Sequence, residues 1–384
     1  MKKKKFNPMT LLIIVIAVVC GMILGKTLAD SMFKTDMSKG QMILRYVLLI
    51  VLIVVSVYIQ IILHELGHML CGLKTGYKFV SFRIGSFMLL KTNGETKFKR
   101  MSLAGTGGQC LMSPPDYNDG NYPYKLYMLG GVLMNVVTAI ISTILALVIK
   151  AWFFHALFLC LAITGFVLAI SNGLPVDTGA IVSDGYNVKE LGRNKDARRA
   201  LWQQLAINDL QMQGVRLKDM PDEYFAIDAN ADMKNVLIST IDVFCENRFM
   251  DAQNFDAAEK EILYLLADCC NVLGVYKTML KLDRTYIDLL KLGEYADISE
   301  LNKGENKKVM EQMKNFPSVL RTQYAAALIK ENDAAKQEKL LAQFAKIKDT
   351  YPSPADIASE SELMELCTHR EDVVFPLQNS NLTR

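Results

Sequence analysis

Nearly every long apolar run in this 384-residue chain lies before about residue 175, and the length of those runs limits what the chain can fold into more than any other feature. About 20 consecutive apolar residues make a helix as long as a bilayer's hydrocarbon core is thick. Four segments qualify: residues 9–29, residues 43 into the mid-60s, 126–149 and 152–171. Little more than Lys150 and Ala151 separates the last two, which predicts a tight helical hairpin. Hydrophobic residues make up 51% of the chain, an excess that the charged region after residue 190 does not share. The expected class is an α-helical multi-pass membrane protein followed by an all-α soluble region.

Charge orients the spans. Lys2 to Lys5 precede the first, and Lys74, Lys78, Arg83, Lys91, Lys97, Lys99 and Arg100 follow the second. Basic residues stay on the cytoplasmic side, so residues 30–41 and the Lys150 turn belong outside and both termini inside. The first run is too long for a signal-peptide core and lacks a small-residue cleavage site, so it reads as a retained anchor. The lysine-rich start suits a bacterial plasma membrane. A net charge of +3 gives no reason to invoke nucleic acid. Eight cysteines with no CxxC pair read as reduced thiols, and Cys110 as a buried one near a glycine-rich loop.

The second apolar run ends in His64-Glu65-Leu66-Gly67-His68. Positions four apart share a helix face, so His64 and His68 can hold one metal ion between them, with Glu65 beside it. Neutral imidazole suits Zn²⁺, which in catalytic sites keeps a position for a water that Glu65 would serve as general base. Ionisable groups at membrane depth are costly, so this cluster reads as functional rather than structural.

Residues 79–116 break the helical pattern. Phe79 to Leu90 and Glu95 to Met101 are strand-like on either side of Thr92-Asn93-Gly94, a hairpin turn. Ala104-Gly105-Thr106-Gly107-Gly108 and Pro114-Pro115 then make a re-entrant loop. Such backbone near membrane depth must lie against protein or a water-filled cavity, so hairpin and loop are expected to roof the site. The domain reading is an anchor helix and external loop over 1–42, a core over 43–190, and a helical domain over 191–384. Residues 247–266 have the look of one tetratricopeptide helix pair, which leaves a helical-repeat peptide-binding surface and a plain bundle as equal readings of that domain.

Two histidines do not complete a catalytic zinc site, which usually takes three protein ligands. Asp177 and Asp184 both follow the fourth span closely. Only Asp184 is followed by glycine, Gly185, which would permit a tight turn aiming the carboxylate inward.

With HELGH at 64–68, Gly130-Gly131-Val132-Leu133-Met134-Asn135 in the third span, and Asn172-x-x-Pro175 followed by Asp184-Gly185, the chain resembles the site-2 protease family of intramembrane zinc metalloproteases, the M50 peptidases. The resemblance covers residues 43–190. It implies a three-helix catalytic core and one Zn²⁺ per chain, with Asp184 as third ligand, although the spacing from Pro175 is longer than the family's. It places Asn135 near the site, as support for substrate, oxyanion or local structure. It also implies that Asn172 and Pro175 shape a broken helix. The expected activity is metalloendopeptidase hydrolysis of transmembrane or membrane-associated peptides, the hairpin taking the unwound substrate as an added strand. The alternative is a non-catalytic membrane protein of the same fold whose helical domain binds peptides or cytosolic partner proteins.

Overall fold

The computed structural model describes residues 21–22, 25–30, 37–92, 94–100, 107–176 and 182–372. Most of the expected anchor helix, and Asp177, lie outside the described residues. The chain separates into two compact units, one comprising Met1–Ile84 with Gly107–Arg193 and the other Gly85–Thr106 with Asn194–Arg384.

Among the described residues, three helices of the first unit are long and apolar enough to cross a membrane: α1 (Lys39–Lys74), α2 (Tyr124–Val148) and α3 (Trp152–Gly173). Helix α1 starts at a capping box, with Ser38 Oγ accepting from the Gln41 N–H (3.3 Å) and Gln41 Oε1 from the Ser38 N–H (3.0 Å). Its 36 residues give about 54 Å at 1.5 Å per residue, longer than a bilayer core. Ile43, Leu44, Val47, Ile50 and Val51 are exposed along it, whereas Ser56, Gln60, His64 and His68 are buried. This inside-out pattern, polar toward the bundle and apolar outward, is what a lipid-facing helix requires.

Helices α1 and α2 cross at two glycines. A Cβ on Gly67 would fall 2.3 Å from the Gly130 carbonyl oxygen, and one on Gly130 would fall 2.4 Å from that of Gly67. No larger residue fits, and the backbones touch as in other small-residue membrane crossings. After α3 the chain turns at Pro175, where the Val176 N–H bonds the Leu174 carbonyl (2.9 Å), before α4 (Asp184–Leu191).

The strand region is richer than the expected hairpin and loop. The run from Phe79 breaks at Gly85 (φ 57°), giving β1 (Lys78–Ile84) and β2 (Phe87–Thr92). The segment read as re-entrant loop carries strand β4 (Gly108–Ser113), antiparallel to β1 with Phe82 opposite Cys110. The Asn-Gly hairpin forms as expected: β2 and β3 (Glu95–Arg100) pair antiparallel, Thr92 opposite Glu95, with Gly94 at φ 82°. This hairpin groups with the helical unit, where Thr92 Oγ1 bonds the Met212 carbonyl and Lys99 reaches that of Asp349.

The rest of the second unit is helical: α5 (Lys195–Met212), α6 (Val236–Asp251), α7 (Phe255–Leu265), α8 (Gly274–Leu292), α9 (Ser299–Asn302), α10 (Gly304–Gln312), α11 (Pro317–Ala325), α12 (Ala334–Lys348) and α13 (Pro354–Thr368). Its core holds Phe255, Ile262, Leu282, Tyr286, Leu320 and Leu363. Into that core it also buries Arg321, which pairs with Asp283 and Glu360 and lies 4.4 Å from the Tyr286 ring centroid.

Candidate metal centre

His64 and His68 lie one turn apart on the buried face of α1, and Asp184 is the first residue of α4. Asp184 Oδ2 is 3.2 Å from His64 Nε2 and 3.4 Å from His68 Nε2, and the two imidazole nitrogens are 3.1 Å apart. Their protonation follows from what the other ring nitrogens meet. His68 Nδ1 lies 2.8 Å from the Tyr127 carbonyl oxygen, which can only accept, so Nδ1 carries the proton. His64 Nδ1 lies 2.6 Å from Asn135 Oδ1. The Asn135 amide is turned that way because its Nδ2 donates to the main-chain oxygen of Gln60 (2.9 Å). In the neutral rings both Nε2 atoms therefore present lone pairs, and Asp184 Oδ2 is buried without a hydrogen-bond donor.

Three lone-pair atoms facing one another repel unless a cation lies between them. Two atoms each about 2.0–2.1 Å from a tetrahedral zinc stand about 3.3–3.4 Å apart, close to the separations seen here. His64, His68 and Asp184 form the cluster of metal-binding geometry among the described residues. The donor set and its spacing fit Zn²⁺.

Local sequence explains how each group reaches its place. A Cβ on Gly131 would lie 2.5 Å from His64 ring atoms, so that glycine makes room for the imidazole. Gly185 is needed for another reason than the expected turn. It lies inside α4 without a positive φ, and a Cβ there would fall 2.0 Å from the Gly173 carbonyl oxygen. The turn itself is made by Ser183, whose Oγ donates to the Leu174 carbonyl (2.5 Å) and accepts from the N–H groups of Val176 (3.0 Å) and Tyr186 (3.2 Å). That hydroxyl caps α4 and ties its first residue, Asp184, to the end of α3.

Glu65 faces strand β4: its Oε1 lies 2.8 Å from where a Gly108 Cβ would stand, and it receives a backbone hydrogen bond from Cys110. The Tyr127 hydroxyl donates to the Cys110 carbonyl (3.0 Å), tying the same strand to α2. Burial pushes the Cys110 thiol up to about 12, in keeping with a buried, unreactive side chain. Asn172 Nδ2 donates to the Leu168 carbonyl (2.9 Å) at the end of α3, and Pro175 lies two residues beyond that helix. His155 bonds the Ala146 carbonyl in the α2–α3 hairpin, away from the cluster.

Two residues escaped the sequence reading. Arg83, counted there as a topology marker, is fully buried, and its Nη2 lies 3.5 Å from the Gly108 carbonyl beside Glu65. Gln60 is also fully buried, one turn before His64. It could have been found as one of four polar residues, Ser56, Gln60, His64 and His68, at steps of four in an apolar helix.

No curated protein and no solved structure matched the chain. The model of peptidase family M50 matches residues 52–316, which takes in the HELGH helix, Asn135, Asp184 and the helical unit as far as α10. Three apolar helices of spanning length agree with the membrane setting of that family. A match over well more than half its length establishes that the chain belongs to peptidase family M50.

Proposed function

We propose that the protein is an intramembrane zinc metalloprotease that hydrolyses peptide bonds of transmembrane or membrane-associated substrates. The observation that carries this reading is the convergence of three donor-free, lone-pair atoms from His64, His68 and Asp184, with the Glu65 carboxylate on the neighbouring position of the same helix. Bound there, zinc would polarise the scissile carbonyl and lower the pKa of a water to about 7. Glu65 then takes the proton from the attacking water and passes it to the leaving amine. The hydrogen bond from the Cys110 N–H and the wall formed by Gly108 hold its carboxylate in one orientation. Arg83, buried by that wall, adds positive charge near the carboxylate.

A helical substrate must unwind before its peptide bond can be attacked. Strand β3, paired to β2 on one side and exposed along most of its length, offers main-chain hydrogen bonds to an extended segment. Proline at Lys97 or at Phe98 removes an N–H on opposite edges of β3, and one of the two should reduce cleavage.

The deciding experiment compares membrane and secreted peptides from cells carrying wild-type protein or Glu65→Gln. Intact substrates should accumulate with the variant. Unchanged peptides, with zinc still bound by the variant, would return the chain to a non-catalytic role.

A further inference from the structure

We propose that Gln60 is a positioning residue that acts through Asn135 to hold His64 in the tautomer a metal ligand needs. This inference rests on the zinc reading above.

Gln60 is fully buried within the three-helix bundle and touches all three helices. Its Nε2 donates to the Leu161 carbonyl of α3 (2.9 Å), an atom with only acceptor capacity, so the amide cannot be flipped without facing oxygen to oxygen. Its Oε1 is thereby turned toward α2, where it accepts from Asn135 Nδ2 (2.8 Å) and Thr138 Oγ1 (3.1 Å). Asn135 Nδ2, held by this oxygen together with the Gln60 main-chain oxygen (2.9 Å), leaves Oδ1 aimed at His64 Nδ1 (2.6 Å), which must donate, so that the neutral ring keeps Nε2 unprotonated toward His68 and Asp184. The direction of every bond is set by a backbone carbonyl at the far end. A neutral ligand imidazole oriented through its second nitrogen is the arrangement metal sites generally use.

Helix α3 is built to admit this contact. A Cβ on Gly165 would lie 2.8 Å from Gln60 Nε2 and 2.9 Å from the Ala139 side chain, so only glycine lets the amide reach the carbonyl one turn earlier. Nothing in ordinary helix packing requires a fully buried glutamine in an apolar span, where an unsatisfied amide is costly.

The test is zinc affinity of the purified full-length protein, read by competition with a chromophoric chelator, together with thermal unfolding of the metal-free form. Gln60→Leu should weaken zinc on the order of tenfold, the usual cost of losing a group that orients a ligand. Gln60→Glu, whose buried neutral carboxyl both donates and accepts, should restore most of it. In an Asn135→Ala background Gln60→Leu should change affinity no further, whereas a packing role would cost as much there as in the wild type. Gly165→Ala, which displaces the amide and leaves Gln60 in the chain, gives a second route to the same loss if Gln60→Leu does not fold. Equal affinity for wild type and both substitutions would overturn the proposal alone; absence of stoichiometric zinc from the wild type would overturn the zinc reading beneath it.

Discussion

Gly131 stands so close to His64 that a single methyl group on it would lie 2.5 Å from the imidazole. A side chain cannot share that space, so alanine at 131 must push the ring away from the point where it meets Asp184. Gly131→Ala is expected to lose zinc affinity by on the order of tenfold or more while the helices still assemble. Zinc content after dialysis measures it, and full stoichiometry in the variant would show that the ring has another place to go.

Asp184 depends on the hydroxyl of the residue before it. Ser183→Ala removes the α4 cap, which should cost about 1 kcal/mol, and also frees Leu174 and Val176 from their common partner. Zinc binding should weaken with the loosened aspartate, though less than in Asp184→Ala, which should abolish stoichiometric zinc. Asp177→Ala is expected to keep its metal. Zinc retained by Asp184→Ala and lost from Asp177→Ala would reverse the assignment of the third ligand.

What could be read from the chain and what could not divides along physical lines. The three spans among the described residues were legible because bilayer thickness sets their length, and the pairing of His64 with His68 because one helical turn sets their spacing. The β2–β3 hairpin was legible because Asn-Gly suits a turn with positive φ. Strand β4 was not: Gly108 to Ser113 has no alternation of its own, and it is a strand because β1 lies beside it. Gly185 was singled out for a turn it does not make, since its close neighbour is the Gly173 carbonyl at the end of α3 rather than its own backbone. Arg83 looked like one more surface cation because charge patterning counts residues and does not see burial. The grouping of the hairpin with the helical unit rests on contacts with Met212 and Asp349, which no local pattern announces.

The helical unit should be more stable in mild acid than at alkaline pH. Burial pushes Glu360 up to about 7 from its usual 4.5, against the opposing pull of Arg321, and burial pushes Asp356 up to about 6 from 3.8. Both acids are protonated more readily in the folded unit than in the unfolded chain. The stability that the neutral forms contribute is fully present below about pH 4 and is lost as pH rises through 6 and 7. A tenfold change in proton affinity is worth about 1.4 kcal/mol, so each group can contribute on the order of a few kcal/mol across that window. Trp202, stacked on Tyr224 with ring centroids 5.8 Å apart, reports this unit once Trp152 is replaced by phenylalanine. Its unfolding midpoint should fall by several degrees between about pH 5 and 8, and Glu360→Gln should flatten part of that slope because the amide has no proton to lose. A midpoint that climbs over the same range, or a slope unchanged by Glu360→Gln, would mean that Arg321 holds Glu360 ionised and that the buried pair, rather than a buried acid, organises the centre of the unit.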